Sequence, residues 1–254
     1  MTNEEELLYK RFIELARKSE FACYYTFTDF LGLMEQSVFE TAKLSLGRIR
    51  YTKFGGSHGN ERIMIRFGNP DDLGYEEPFP IAILKVEPKS AKFADKLSHR
   101  DFLGAILNLG IERKLIGDIV IINNVGYVFV KSEIVEYLKD SLERIKHTDV
   151  KVSVIDSENL PEGDLFKTER VKIQLSGERL DAVISKLFSI SREESLSLFK
   201  KGLVFVCGKL IENNSYTPKA DDVVSVRGFG RFIYRGVVGL SKKGKLNVEL
   251  DVYI

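Results

Sequence analysis

Residues 176–231, SGERLDAVISKLFSISREESLSLFKKGLVFVCGKLIENNSYTPKADDVVSVRGFGR, restrict the possible folds more than any other stretch. Arg179-Leu180-Asp181 opens an amphipathic helix with Leu180, Val183, Ile184, Leu187 and Phe188 on one face, the recurrence that a core-facing helix requires. Ser191 begins a second helix: its hydroxyl can accept from the amide three residues on, and Glu194 can reach back, forming a capping box. Lys200 and Lys201 complement the negative end of that helix's dipole, and Gly202 suits the left-handed conformation that ends it. A strand at 204–206, a tight turn at Cys207-Gly208-Lys209, an extended path through Leu210 and Ile211, and a strand at 223–227 complete the unit.

The same stretch is cationic. Residues 179–254 hold 13 Lys+Arg against 8 Asp+Glu, so this part carries 13 − 8 = +5 in a chain whose formal total is +1. Attraction to nucleic acid must therefore come from a local patch. Two helices packed side by side would bring Arg179, Arg192, Lys200, Lys201 and Lys209 together, with Arg227 and Arg231 further along, and guanidinium forks suit phosphate oxygens. The plain alternative is a solvated helix face.

At 254 residues and 44% hydrophobic content the chain suits two or three compact domains with real cores. Cys23 and Cys207 stand far apart without metal-ligand spacing, as expected of reduced thiols. The start, MTNEEELLYKRF, lacks a basic region followed by an apolar run, and no stretch approaches a membrane span, so a cytoplasmic address is expected.

Residues 3–19 read as a helix with Asn3 as N-cap and Glu4, Glu5 and Glu6 in its first turn. The aromatic run Phe21, Tyr24, Tyr25, Phe27 and Phe30 reads as a small core in preference to a base-stacking surface. A second helix at 35–46 and strands at 48–54 and 62–67 follow. Gly55-Gly56-Ser57-His58-Gly59 lacks the ending of a phosphate-binding P-loop and reads as a flexible hairpin connection. Pro70, Asp71, Asp72, Gly74, Pro78 and Pro80 break all periodicity and mark a boundary.

From Ile81 the expected order is a strand at 81–86, a helix at 90–109, strands at 118–123 and 126–130, a helix at 132–145 and a strand at 150–155. That βαββαβ order favours a ferredoxin-like sheet with both helices on one face. Period two puts Tyr127 and Phe129 on one side of their strand. This strand resembles the inner-strand signature of RNA-recognition motifs, which stack bases on such a pair; packing against a neighbouring domain is the equal alternative. His99-Arg100-Asp101 invites comparison with the kinase catalytic loop, but Asn108 is misplaced and no glycine-rich nucleotide loop is present. With Arg113 nearby, His99 and Arg100 are candidate RNA contacts.

The expected architecture is α+β in three small domains. They are an N-terminal mixed domain at 1–78, a ferredoxin-like or RRM-like RNA-binding domain at 79–156, a linker at 157–169, and an RNA-binding module at 170–254.

The last module resembles the αL RNA-binding motif, named after the fourth small-subunit ribosomal protein. The resemblance rests on Arg179-Leu180-Asp181, Ser191-Arg192, Lys201-Gly202, Val204, Val206, Gly208-Lys209, Ser215-Tyr216, Asp222, Val224 and Val226. Two departures stand in turns: Cys207 where the family has Asn, and Asp221 where it has Gly. The architecture as a whole resembles the YlmH family of bacterial RNA-binding proteins. The matching residues are Gly55-Gly56 with Glu61-Arg62, His99-Arg100-Asp101-Phe102-Leu103-Gly104-Ala105, Leu109-Gly110-Ile111 with Arg113, Ile116-Gly117-Asp118-Ile119 and Gly228-Phe229-Gly230-Arg231. Another departure is Gly32-Leu33-Met34, where the family shows Asp-Pro-Arg. The resemblance implies a bacterial protein, encoded near cell-division genes, that binds ribosomal RNA and tRNA on the large ribosomal subunit carrying obstructed peptidyl-tRNA, that is, in ribosome quality control.

Two other readings stay open. Arg179-Leu180-Asp181 with Ser185 is similar to a motif of pseudouridine synthases whose Asp is the nucleophile, although only about 70 residues follow, too few for a catalytic domain of typical size. Alternatively, the first two domains make a protein-interaction adaptor in cell division. The preferred expectation is a noncatalytic, monomeric RNA-binding protein without metal or cofactor and without a membrane partner.

Overall fold

A computed structural model describes residues 2–161 and 168–253. The chain forms two compact units, 1–165 and 166–254. Their boundary falls inside the stretch expected to be a linker. Within that stretch Ser157–Asn159 make a 3-10 turn, and residues 162–167 lie outside the described residues.

The first unit contains two cores. Helix α1 (Asn3–Ala22) starts one residue earlier than its expected cap: Thr2 is the N-cap, its hydroxyl accepting from the Glu5 amide at 3.2 Å while the Glu5 carboxylate accepts from the Thr2 amide at 2.9 Å. Strand β1 (Thr26–Phe27), helix α2 (Leu33–Ala42), strands β2 (Tyr51–Phe54) and β3 (Met64–Phe67) and the short α3 (Pro70–Leu73) follow, with the strands ordered β1-β3-β2. Phe12, Leu15, Phe39, Ile65 and Phe67 are buried together, and the Phe12 and Phe39 rings meet edge to face at 5.3 Å. The aromatic run divides: Tyr25 and Phe30 are buried, whereas Phe21 lies 82% exposed at the end of α1.

The central region comprises β4 (Ile81–Pro88), α4 (His99–Asn108), β5 (Ile116–Ile122), β6 (Val125–Lys131), α5 (Val135–Ser141), β7 (Arg144–Ile145) and β8 (Thr148–Ile155). The strand order β5-β6-β4-β8-β7 is the ferredoxin-like arrangement extended by one short edge strand. Both helices are shorter than expected. Residues 90–98 contain only a 3-10 turn because tertiary acceptors take their amides: Asp95 donates to the Thr148 hydroxyl at 2.8 Å and Leu97 to the Asn124 side chain at 2.8 Å. Ser98 and Asp101 then form the capping box that starts α4. At the other helix, Lys146 with φ +53° reverses the chain, so that Ile145 enters the core on β7. Leu84, Val86, Val128 and Val130 line one sheet face against Phe102, Ile106 and Leu138. A Cβ at Gly126 would stand 2.3 Å from the Phe102 ring, so β6 passes under α4 only with glycine there.

The second unit has β9 (Thr168–Leu175), α6 (Leu180–Leu187), α7 (Arg192–Lys200), β10 (Val204–Val206), β11 (Lys209–Leu210), β12 (Asp222–Val226), β13 (Gly230–Leu240) and β14 (Leu246–Tyr253). Its antiparallel sheet runs β11-β10-β12-β13-β14-β9. Leu180, Val183, Ile184, Leu198 and Phe199 bury the apolar faces of both helices against Val204, Val224, Phe232 and Leu250. The Ser191 half of the capping box forms, its hydroxyl accepting from the Glu194 amide at 3.0 Å, and Gly202 takes φ +65° after the last turn. Both turn departures sit where the backbone demands a left-handed residue: Cys207 has φ +47° and Asp221 φ +69°. The first precedes Gly208 at φ +77°, the pair of positive values of a type I′ turn.

Candidate nucleic-acid interface

In the second unit, Asp181 is held almost entirely out of solvent at the start of α6. Its carboxylate accepts two bonds from the Arg179 guanidinium, at 3.1 and 3.2 Å, and lies 3.4 Å from Arg192 at the start of α7. The Ser195 hydroxyl donates to the Asp181 carbonyl at 2.8 Å and ties the two helices together. A buried carboxylate thus fixes two guanidiniums that remain about half exposed. That arrangement presents N–H forks for phosphate oxygens while losing little side-chain freedom on binding.

Arg179 and Arg192 line a groove of about 710 Å³ with Ser176, Ser185 and Lys186. Lys186, exposed in the last turn of α6, escapes the sequence argument because it belongs to no matching motif, although the periodicity of α6 places it opposite the apolar face.

The expected cationic cluster does not form at one point. Lys200 and Lys201 are exposed at the far end of α7, roughly 12 Å from Arg192 at 1.5 Å per residue. Lys209 is exposed on the edge hairpin β10–β11. Arg227 stacks at 4.5 Å over the Phe205 ring, and Arg231 at 4.8 Å over Tyr253. The seven cations therefore form several stations on one unit.

The weaker candidates fare differently. Phe129 is fully buried and Tyr127 nearly so, which corrects the base-stacking expectation for this pair. The physical reason lies in the Gly55-Gly56 segment: a Cβ at Gly56 would stand 2.5 Å from the Phe129 ring, and Gly56 has φ +99°. Gly55 and Gly56 are buried, so the start of the segment expected to be a flexible connection is a packed cover, while His58 and Gly59 are exposed. Arg113 turns inward, donating to the carbonyls of Ile116 at 2.5 Å and Gly117 at 3.1 Å, and burial holds its pKa down at about 10. Arg62 donates to the carbonyls of Ile116, Phe30 and Arg113. Asp118 accepts from the amides of Glu61 and Arg62; burial raises its pKa to about 6 against the pull of those amides and of both guanidiniums. His99 and Arg100 remain at the surface, and desolvation together with the Arg113 charge lowers the His99 pKa. Among the described residues no group of His, Cys, Asp and Glu is placed to hold a metal, and no helix is long and apolar enough to cross a membrane.

Residues 75–159 match the family described as "Putative RNA-binding domain in YlmH". Over 231 residues the chain is 29% identical to the ribosome-associated protein quality control protein P2 of Bacillus subtilis, covering 88% of this chain and 86% of that protein. The cell division protein ylmH of Streptococcus pneumoniae has a similar fold, with a TM-score of 0.50 at 22% identity, over 63% of this chain and 97% of that one. The central sheet with its two helices thus lies within the residues that match the YlmH domain, and the similarity to the Bacillus protein extends over most of the chain.

Proposed function

We propose that this chain is a noncatalytic RNA-binding protein that docks on ribosomal RNA and tRNA of the large subunit, a reading supported by its similarity to a Bacillus protein named for ribosome-associated quality control. The observation that carries the proposal is the pair of half-exposed guanidiniums locked by buried Asp181 at the mouth of a groove. Engaged by both arginines, that carboxylate acts as their anchor and not as a nucleophile. The protein acts as a cytoplasmic monomer, and contacts from both units combine to raise the affinity for a target that presents both sites. The link to cell division in the name of the Streptococcus relative belongs to the same proposal.

Co-sedimentation with separated large and small ribosomal subunits at several salt concentrations tests this. Five phosphate contacts, from Arg179, Lys186, Arg192, Lys200 and Lys201, give a log-log salt slope of roughly −3.5 with the single-strand coefficient. Wild type is expected in the large-subunit pellet at low salt, and Lys186→Glu with Lys201→Glu in the supernatant. Absence of wild-type protein from the large-subunit pellet overturns the proposal and favours the adaptor reading.

A further inference from the structure

The central domain has the sheet order of an RNA-recognition motif, yet the sheet face such motifs use is closed around Phe129 by the Gly55-Gly56 segment. Its opposite side is open. A groove of about 550 Å³ runs along α4 from Arg100 to Asn108, with Ser141 to Lys146 as its other wall. Its floor is Gly104, where an added Cβ would meet nothing within 4 Å. The volume falls within the range of small-molecule pockets and leaves room for a nucleotide.

Three cations rim this groove. Arg144 is held by Asp149 at 2.8 Å and Lys146 by Asp101 at 2.8 Å, each still about half exposed, and Arg100 has no carboxylate partner among the described residues. Beside the Lys146 end lies the segment expected to be helix. There Phe93 is 80% exposed, with Lys92 Nζ at 5.5 Å from the centre of its ring. Asp95, two residues on, fixes that position, its carboxylate accepting from the His147 amide at 3.2 Å. An exposed aromatic next to a cation-rimmed channel is the combination that binds single-stranded nucleic acid, the ring stacking a base and the cations following the backbone.

We infer that the α4 groove, with Phe93 as stacking platform, is a second RNA site that takes an unpaired segment on the helical side of the domain. The inference rests on the RNA-binding reading above but uses different residues from the Arg179–Arg192 groove.

The test uses the full chain and a single-stranded oligouridylate carrying 4-thiouridine, with photo-crosslinks mapped to peptides and affinity read by fluorescence anisotropy. Wild type should crosslink within 92–108 or 141–147 as well as within the second unit. Gly104→Leu fills the floor while improving helix propensity; it should abolish the central crosslinks, weaken binding about tenfold and leave the crosslinks of the second unit in place. Arg100→Glu, an exposed change with no packing consequence, should act in the same direction and flatten the salt slope by roughly 0.7. Phe93→Ala should weaken binding about fivefold or more, the low end of the loss for one stacked base. Central crosslinks at Tyr127, none in the central domain, unchanged affinity in both groove variants, or displacement of the groove probe by polyglutamate but not by unlabelled oligouridylate would each overturn the inference. Loss of the crosslinks in the second unit from wild type would instead count against the Arg179–Arg192 surface.

Discussion

Two of the places where a pair of arginines surrounds one aspartate among the described residues have opposite consequences. Around Asp181 the carboxylate is buried and the guanidiniums of Arg179 and Arg192 reach solvent. Around Asp118 all three groups are drawn in: Arg62 and Arg113 spend their donors on backbone carbonyls, and the carboxylate caps the amides of Glu61 and Arg62. The first cluster has donors left for a phosphate. The second links the N-terminal segment to the central sheet, and its donors satisfy carbonyls that have no water to turn to. An arginine in a family-like motif is a ligand contact only when its neighbours leave its face free.

The largest effect expected from breaking this contrast is at Arg62. Arg62→Ala removes three hydrogen bonds to backbone carbonyls and leaves Asp118 with one guanidinium fewer, and the first unit should lose about 3 kcal/mol or more. Calorimetry of the full chain should show one transition lowered and the transition of the second unit unmoved, with affinity for RNA at the Arg179–Arg192 groove preserved. Equal losses in both transitions would remove the distinction between the clusters.

Arg192→Ala should have a smaller and mixed effect. It weakens RNA binding and also lowers the melting temperature of the second unit, because a buried carboxylate loses one of its two cations. Arg179→Ala with Arg192→Ala strands Asp181 altogether and should destabilise by about 3–5 kcal/mol. Adding Asp181→Asn to that pair should restore much of the stability but none of the RNA affinity. Restored affinity would show that these arginines are not phosphate contacts.

A pH series sharpens the contrast further. The folded pKa of Asp118 is raised to about 6 from an ordinary value of 3.8, so its stabilisation is fully present below about 3.8 and is lost as pH rises through about 6. The opposing carboxylate, Asp101, is lowered to about 2 by Lys146 and Ser98, and its contribution is present above 3.8 and fades only as pH falls through about 2. Between pH 4 and 7 the difference in melting temperature between wild type and Asp118→Asn should therefore shift in favour of wild type as pH falls; a constant difference across that window would contradict it.

The smallest effect concerns a turn of the second unit. Cys207 occupies a left-handed position next to Gly208, and Cys207→Asn should stabilise by about 1 kcal/mol, since Asn visits that region more readily. Denaturant unfolding would detect the gain, and a loss would mean that the contact of its thiol with Asp222 at 3.5 Å outweighs the backbone preference.

Much of the second unit was legible in advance. The apolar stripe of α6, the Ser191 cap and Gly202 are local patterns, and local patterns decide local structure when the core accepts them. The strand and helix order of the central domain was readable for the same reason. The segment at 90–98 was not, because the groups that hold it extended, Thr148 and Asn124, lie well ahead in sequence. Nor were the roles of Phe129 and Arg113, because aromatic and cationic side chains have the same composition whether they face water or a neighbouring segment.

The sequence by itself determined the order of elements, the α+β class and the cationic balance of the second unit, since these follow from periodicity, capping and charge. The tertiary structure alone decided which sheet face is closed, which arginines keep free donors and where a second groove opens, because those outcomes depend on contacts between residues such as Gly56 and Phe129 that are far apart along the chain.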